Sequence, residues 1–543
     1  MKKYFILSAA MAAAIGQTSA AELKLKIKSD YLHLPVSHAV DRVRISLLPQ
    51  GAEEIPVNIR LSDKPEYWVF KDVSALKGKK LTISYPDGLR GIELIRQADT
   101  IPDQSLIYHE ANRPQFHFTT RRGWINDPNG LVYHNGEYHL YYQHNPFERD
   151  WENMHWGHAV SRDLVHWHEL PTALHPDHMG TMFSGSAVID HDNDSGFGSP
   201  GNPALVAAYT IAAPGRQMQG IAYSLDNGRT FTKYSANPVI DSKELWDSGD
   251  TRDPKLFKYA DHWVMVLNER DGHSIYTSPN LRDWTYKSHT TGFWECPDLF
   301  ELPVDGDPTR LLWVMYGASG TYMLGHFDGE RFTPISGKHR YTAGTGYAAQ
   351  TYSDIPAADG RRIQISWSRI GHPGMNFNGM MLLPTELTLR TTKDGPRLAS
   401  KPVREVEQLC SAIGSWTDLT QQQANDILSG LGPKDRLRLR FTVELSHATD
   451  ATLNLDGQRL VDYDMNGTTL NGWFYSPQDP TSMQLTADVY IDRTSVEVFV
   501  EDGLFSYSLP RHLRDDASHL LSFGGNRLTI KSLELFDIAS IWE

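Results

Sequence analysis

Ser161-Arg162-Asp163-Leu164-Val165-His166-Trp167 is a polar tip closed by an aromatic residue, and the chain repeats it. Ser224-Leu225-Asp226-Asn227-Gly228-Arg229-Thr230-Phe231 and Ser278-Pro279-Asn280-Leu281-Arg282-Asp283-Trp284 follow the same pattern. His326-Phe327-Asp328-Gly329-Glu330-Arg331-Phe332 is a weaker copy. The first residues of these copies fall 63, 54 and 48 residues apart. Each reads as a hairpin tip with an aromatic anchor just after it. Recurrence at that period in β-rich sequence predicts the blades of a β-propeller. The inner strands of such a fold face one central funnel, where residues remote in sequence meet. The repeats lie in a segment dense in His and Trp, read as a propeller domain over residues 104–400.

The flanks read as β structure of other kinds. In residues 21–103, Leu23, Leu25 and Ile27 alternate with Lys24, Lys26 and Lys28, the period-two pattern of a half-buried strand. Val43, Ile45 and Leu47 repeat it, as do Val57, Ile59 and Leu61. Tyr85-Pro86-Asp87-Gly88 is a turn. This small N-terminal β module has no cluster of acids or histidines, and it reads as a supporting domain or a sugar-binding one. In residues 401–543, Gln421 to Leu431 reads as a short helix or a loop. Leu437, Leu439 and Phe441, then Val496, Val498 and Val500, alternate as strands, and Asp502-Gly503 turns a hairpin. A C-terminal β-sandwich is predicted there. The fold class is all-β, and 543 residues suit several domains.

Residues 1–20 read as a signal peptide. Lys2-Lys3 form its positive end, Phe5 to Ile15 its apolar run, and Thr18-Ser19-Ala20 its cleavage site. No later apolar run is long enough to span a bilayer, so an exported protein without a membrane span is expected. The formal net charge of −14 excludes a nucleic-acid partner, since no basic field would attract phosphate. Two cysteines, Cys296 and Cys410, make no disulfide framework. With 14 Trp and 24 Tyr, the chain has many rings that could stack on sugars or fill cores. Asp190-His191-Asp192-Asn193-Asp194-Ser195-Gly196 has the alternating acids of a calcium loop, but lacks its sixth-position Gly and closing Glu. It reads as a polar hairpin loop. The histidines from His109 to His191 show no zinc-ligand spacing, and no Gly-rich phosphate loop is present. No metal and no cofactor are expected. The residues leave the oligomeric state open.

Three acids stand in an unusual setting. Asp127 lies in Trp124-Ile125-Asn126-Asp127-Pro128-Asn129-Gly130. Pro128 restricts it, and Asn129-Gly130 signals a turn, so Asp127 is expected at the end of a strand among rings. Asp253 precedes Pro254 in Ser248-Gly249-Asp250-Thr251-Arg252-Asp253-Pro254. Glu295 lies in Phe293-Trp294-Glu295-Cys296-Pro297-Asp298. Read separately, these are an Asx-turn, a surface ion pair and a solvated side chain. Read together in one funnel, they suit glycosidic bond cleavage. That reaction needs one carboxylic acid to protonate the leaving oxygen and one carboxylate to attack the sugar or activate water. Burial beside Trp294 and mutual repulsion would raise the value of the acid.

These motifs resemble the signatures of glycoside hydrolase family 32, the invertases, inulinases, levanases and other β-fructosidases. The resemblance covers about residues 112–543. It takes in Trp151 to His158, Phe183-Ser184-Gly185, Tyr347-Ala348-Ala349-Gln350 and Asp492 to Phe499. It implies a five-bladed propeller followed by a β-sandwich, and a retaining double displacement. Asp127 would be the nucleophile, Glu295 the general acid/base, and Asp253 the transition-state stabiliser holding fructose hydroxyls. Asn126, Gln143, Trp151, Phe183, Ser184 and Arg252 would surround the fructosyl unit. Cys296 is a family feature that tunes the acid, or simply a small buried residue. One departure stands out: many members carry Asp-Phe, the Asp touching sugar, where this chain has Thr345-Gly346. The N-terminal module resembles extra modules on some bacterial fructan-degrading enzymes.

The expected activity is that of an exported β-fructosidase removing terminal fructose from levan or inulin, with sucrose a further candidate. The alternatives are an endo-acting levanase, a fructosyltransferase, an inverting propeller hydrolase of arabinan or xylan, and a non-catalytic sugar-binding propeller.

Overall fold

The protein is described by a computed structural model over residues 20–445, 450–475, 483–512 and 520–542. Apart from Ala20, the stretch read as a signal peptide lies outside the described residues. The chain divides into two compact units, residues 1–102 and 103–543. Among the described residues it is all-β, with two α-helices, Ser242–Trp246 and Gln421–Ser429.

The first unit is built from a four-stranded and a three-stranded sheet. Its first strand, Ala20–Lys26, half-buries Leu23 and Leu25 and exposes the intervening lysines. Ile45, Leu47, Val57, Ile59 and Leu61 are buried, as the alternation requires.

The second unit opens with four runs of antiparallel strands in chain order, the first carrying in addition the parallel strand Phe377–Asn378 at its inner edge. Their first strands are β1 (Gly123–His134), β2 (Thr181–Asp190), β3 (Thr251–Tyr259) and β4 (Asp298–Val304). A fifth antiparallel run begins with β5 (Gly346–Thr351) and continues through Arg362–Ser368, Thr385–Thr392 and Gly395–Pro402. One parallel pairing, Val304 with Leu389, joins it to the fourth sheet.

The recurring tip occupies the same place in each of the first four sheets, the turn between the third and fourth strands. Its leading polar residues form Asx-type turns: Asp163 Oδ1 accepts from the N–H groups of Val165 and His166, and Asn280 Oδ1 from those of Arg282 and Asp283. The closing rings Trp167, Phe231, Trp284 and Phe332 each pack into an apolar cluster.

Apolar clusters also join each sheet to the next. Trp156 meets Tyr209 edge-on, Val206 shares a cluster with Trp263, Val264 with Leu299, and Phe300 with Leu387. Ile125 of the first sheet meets Ile365 of the fifth run. The inner strands are stitched largely by side chains, with a backbone bridge between Val132 of β1 and Ser353 just past β5. Ser186 Oγ donates to Pro254 O and accepts from Leu256 N, both at 2.8 Å, tying β2 to β3. Gln350 of β5 donates to Gly185 O at 3.0 Å and accepts from Leu131 N at 3.1 Å. Buried Lys255 of β3 donates to Thr351 O at 2.6 Å and pairs with Asp298 at 3.2 Å. Each bond satisfies a polar group that burial would otherwise leave unpaired.

Towards the C-terminus, a seven-stranded and a five-stranded sheet share one apolar core that includes Leu437, Leu439, Phe441, Val496 and Val498. Gln421–Ser429 is a helix, closed at its start by a capping box between Thr420 and Gln423. Every residue of Ser495–Val500 is buried, so this strand is not half-solvated as its alternation suggested. Val496, Val498 and Val500 enter one core, while Phe499 enters the cluster that holds Phe116 and Ile365. The short strand Thr342–Gly344 pairs in parallel with β6 (Phe505–Pro510) of the seven-stranded sheet. Nothing local in residues 342–344 signals that pairing.

Candidate active site

Asp127 and Asp253 sit where the inner strands bulge, and Glu295 lies in the loop that leads into β4. Along β1 the register passes from Ile125 opposite His144 to Pro128 opposite Tyr142, so Asn126 and Asp127 face one partner residue. In β2 the break falls between Phe183 and Gly185, at Ser184. In β3 it falls between Arg252 and Lys255, at Asp253-Pro254. A bulge turns a side chain off the regular alternation. Here three successive strands use one at the same level, and β5 has another between Tyr347 and Gln350.

Asp127 therefore lies inside a strand and not at its end, and Asn129-Gly130 continues that strand instead of turning it. Gly130 has φ +52°, and a Cβ on it would stand 2.7 Å from the ring of Tyr141. Close packing needs the glycine there, and it overrides the local turn signal.

Asp127 Oδ2 accepts from Ser184 Oγ at 2.7 Å, and Oδ1 from Asn126 Nδ2 at 3.1 Å. Trp124 Nε1 in turn donates to Asn126 Oδ1 at 2.7 Å and fixes that amide. Asp253 Oδ2 accepts from Cys296 N at 2.9 Å, and its own N–H donates to Thr210 Oγ1 at 3.0 Å. Glu295 Oε1 accepts from Arg252 Nε at 3.1 Å and Nη2 at 2.7 Å, while its Oε2 accepts from Tyr347. Asn268 Oδ1 accepts the Glu295 N–H at 2.8 Å. Asp253, Glu295 and Cys296 have φ of 66°, 53° and 43°, a left-handed backbone that costs about 1–3 kcal/mol per non-glycine residue.

Burial pushes Asp127 above the usual carboxylate range. The hydrogen bonds from Ser184 and Asn126 oppose that rise, and the charge of Glu295 adds to it. Burial also pushes Asp253 up, to about 7. Arg252 pulls it down, and Asp127 and Glu295 push it further. Tyr347 is held well above its ordinary range by burial and by Glu295, so it stays a donor. Cys296 Sγ lies 3.5 Å from Asp253 Oδ2 and 3.8 Å from Asp127 Oδ2. Among the described residues, Asp127, Asp253 and Cys296 offer three atoms within 4.8 Å of one another. Burial and the carboxylates hold the thiol well above its ordinary value, so with these neighbours it is a donor. In the acidic loop, Lys258 pairs with both Asp192 and Asp194.

The family-model description "Glycosyl hydrolases family 32 N-terminal domain" matches residues 117–402. The chain belongs to glycoside hydrolase family 32. It is 38% identical over 492 residues to a levanase of Bacillus subtilis, covering 81% of this chain and 72% of that one. It is 33% identical over 519 residues to an extracellular exo-inulinase of Aspergillus niger, covering 80% and 96%. Among solved structures, exo-inulinase from Aspergillus awamori superposes with a TM-score of 0.71 at 29% identity, over 80% of this chain and all of that one. Fructofuranosidase from Schwanniomyces occidentalis complexed with fructose superposes at 0.68 and 26% identity, over 80% and 100%.

Around the acids of this family 32 chain, the other expected residues take different places. Asn126, Ser184 and Arg252 touch the carboxylates directly. Gln143 is buried and donates to Met182 O at 3.0 Å, beside Phe183. Trp151, 49% exposed, meets Phe183 edge-on at 5.8 Å and forms an open aromatic wall. Thr210, Asn268 and Tyr347 were not foreseen as site residues. The available signal was a lone polar residue in an apolar run for Thr210, a polar residue closing an apolar run for Asn268, and an aromatic at the start of an inner strand for Tyr347.

Thr345 bonds to hydroxyls: its Oγ1 lies 2.7 Å from Ser508 Oγ and 3.0 Å from Ser368 Oγ.

Proposed function

We propose that this chain is an exported, retaining β-fructosidase that releases terminal fructose from levan or inulin. In this reading residues 104–400 form a five-bladed propeller, 401–543 a β-sandwich and 21–103 an accessory module. Five successive antiparallel runs, each packed on the next and the last on the first, support the blade count. The observation that carries the activity is the meeting of Asp127, Asp253 and Glu295 from three inner strands and loops, with Ser184, Arg252 and Tyr347 on their oxygens.

Asp127, its carboxylate bonded by Ser184 and Asn126, attacks the anomeric carbon of the terminal fructosyl unit. Glu295 gives its proton to the leaving glycosidic oxygen as that bond breaks. The product is a fructosyl ester on Asp127. Glu295, now a carboxylate, takes a proton from water, whose oxygen attacks the same carbon and frees Asp127. Two inversions give net retention. Asp253 accepts hydrogen bonds from fructose hydroxyls, and those bonds strengthen as positive charge builds in the ring. Trp151 offers a face for the sugar's C–H surface.

The relatives named levanase and exo-inulinase support a fructan, and sucrose presents the same terminal unit. Export is supported by the pattern of residues 1–20 and by the extracellular relative. Among the described residues no helix is long and apolar enough to cross a membrane.

The test is early product analysis with levan, inulin and sucrose, using Asp127→Asn as control. Free β-fructose alone, absent in the control, is the expected result. A ladder of oligosaccharides would replace this reading with endo cleavage or transfer, and no product from any of the three would remove it.

A further inference from the structure

Ser508 lies on β6 of the seven-stranded sheet, 2% exposed, at the point where that sheet meets the segment leading into β5. Its Oγ accepts the N–H of Gly346 at 3.1 Å and shares that of Thr345, which lies 3.2 Å from Oγ and 3.1 Å from Ser508 O. With both lone pairs engaged, its proton is left for Thr345 Oγ1 at 2.7 Å, and the Thr345 proton then goes to Ser368 Oγ at 3.0 Å. The approach is close enough that a Cβ on Gly344 would stand 2.0 Å from Ser508 O. One residue beyond Gly346, Tyr347 donates its hydroxyl to Glu295 Oε2. Thr345 and Gly346 are also the two positions where this chain departs from the Asp-Phe of many relatives.

We propose that Ser508 is a positioning residue for the reaction. Through Thr345 and Gly346 it sets the start of β5, so that the Tyr347 hydroxyl reaches the carboxylate of Glu295. The inference rests on the assignment of Glu295 as the acid/base. It gives the C-terminal sheet a part in catalysis, reached through a hydroxyl chain. An aspartate at position 345 would place a charge against Ser508 and Ser368. Threonine instead joins them without one, and its side chain is turned to the sheet and not to the sugar. Without the Ser508 hydroxyl, the Gly346 N–H and the Thr345 hydroxyl lose a partner in a part-buried place while the Thr345 N–H keeps Ser508 O, and a shift of the strand follows to satisfy them. Tyr347 has no other hydroxyl contact among the described residues to hold it on Glu295.

The test is a double-mutant cycle on kcat/KM with Ser508→Ala, Tyr347→Phe and the pair, followed by Ser508→Thr. Ser508→Ala is expected to lower kcat/KM about tenfold, and Ser508→Thr to recover most of it. In the Tyr347→Phe background, Ser508→Ala should cost less than about twofold, since its effect runs through the missing hydroxyl. An equal cost in both backgrounds would overturn the proposal, as would unchanged kcat/KM in folded Ser508→Ala. If Ser508→Ala does not fold, Thr345→Val removes the same chain of hydroxyls at constant volume and enters the same cycle. A crystal structure of either variant gives a readout independent of any substrate. Tyr347 displaced from Glu295 is expected, and Tyr347 still bonded to it sinks the positioning role whatever the wild type hydrolyses. Loss of the functional reading shows separately, as a wild type without fructan hydrolysis.

Discussion

Ser184 Oγ reaches from β2 to Asp127 Oδ2 on β1, a 2.7 Å bond between two bulges 57 residues apart in sequence. It is one of two side-chain donors that offset the effect of burial on Asp127. Ser184→Ala removes it and leaves Asn126 alone. Asp127 then moves further above the carboxylate range and is ionised only at higher pH. We expect kcat/KM to fall on the order of 10–100-fold at the optimum, and the acidic limb of its pH profile to move to higher pH. A variant with the wild-type acidic limb would show that Ser184 does not tune Asp127.

Arg252 is the cation paired with Glu295 and the chain neighbour of Asp253. It bonds Glu295 through Nε and Nη2 and pulls Asp253 down against burial. Arg252→Gln keeps a planar donor and removes the charge. Asp253, already pushed up to about 7, then stays protonated further into the neutral range and is no longer an anionic acceptor for sugar hydroxyls. The expected outcome is a loss of about 10²-fold in kcat/KM, with the acidic limb displaced upward. Profiles measured from pH 4 to 9 decide it, and an unmoved limb would rule out the coupling to Asp253.

The three carboxylates were legible in the sequence because each stands in a rare local context, Asn-Asp-Pro, Arg-Asp-Pro and Trp-Glu-Cys. The hairpin tips were legible because an Asx turn and a ring anchor recur at one period. What stayed hidden depends on tertiary position. Asn129-Gly130 has turn chemistry, yet packing of Tyr141 and Trp156 against Gly130 holds it in a strand. The bulges that aim Asp127, Ser184 and Asp253 leave no period-breaking mark that a single sequence reveals. Thr210 and Asn268 look like ordinary strand residues until their partners from other strands are seen. Ser508 is 163 residues from Thr345, and nothing local links them.

His117 sits fully buried between two carboxylates, Asp492 on Nδ1 at 2.8 Å and Glu497 on Nε2 at 2.6 Å. Asp492 also accepts the N–H groups of Gln115 and Phe116, so this cluster ties the entry to the first sheet to the C-terminal strands. Burial works against the imidazolium, but the two acids hold it up at about 9, against an ordinary 6.5. A folded-state value above the unfolded one gives stability that is fully present below about pH 6.5 and is lost as pH rises through about 9. Asp492 is held below its ordinary 3.8 despite burial, chiefly by its bond to His117, so its contribution is lost only as pH falls through the acid range. His117→Gln should therefore cost about 3 kcal/mol near pH 6 and progressively less towards pH 10. Thermal unfolding of both proteins across that range measures it, and a constant gap would remove the charged state of His117 from the account.

Cys296 places its sulfur between the carboxylates of Asp253 and Asp127, at 3.5 and 3.8 Å. Burial first, then the charges of Asp253, Asp127 and Glu295, hold its thiol well above the ordinary value. Burial likewise raises Cys410. The reactive form of cysteine is the thiolate. Both thiols should then alkylate at least about tenfold more slowly in the folded protein at pH 7 than in urea, with activity retained through the treatment. Cys296→Ser keeps a donor between the same two oxygens and should hold kcat/KM within about tenfold, whereas Cys296→Ala leaves Asp253 and Asp127 facing each other without it and should lose more. Thiol counting before and after denaturation, beside the kinetics of the two variants, separates the roles. Rapid labelling of Cys296 with loss of activity would mean a thiolate stands there, and the donor role would fall.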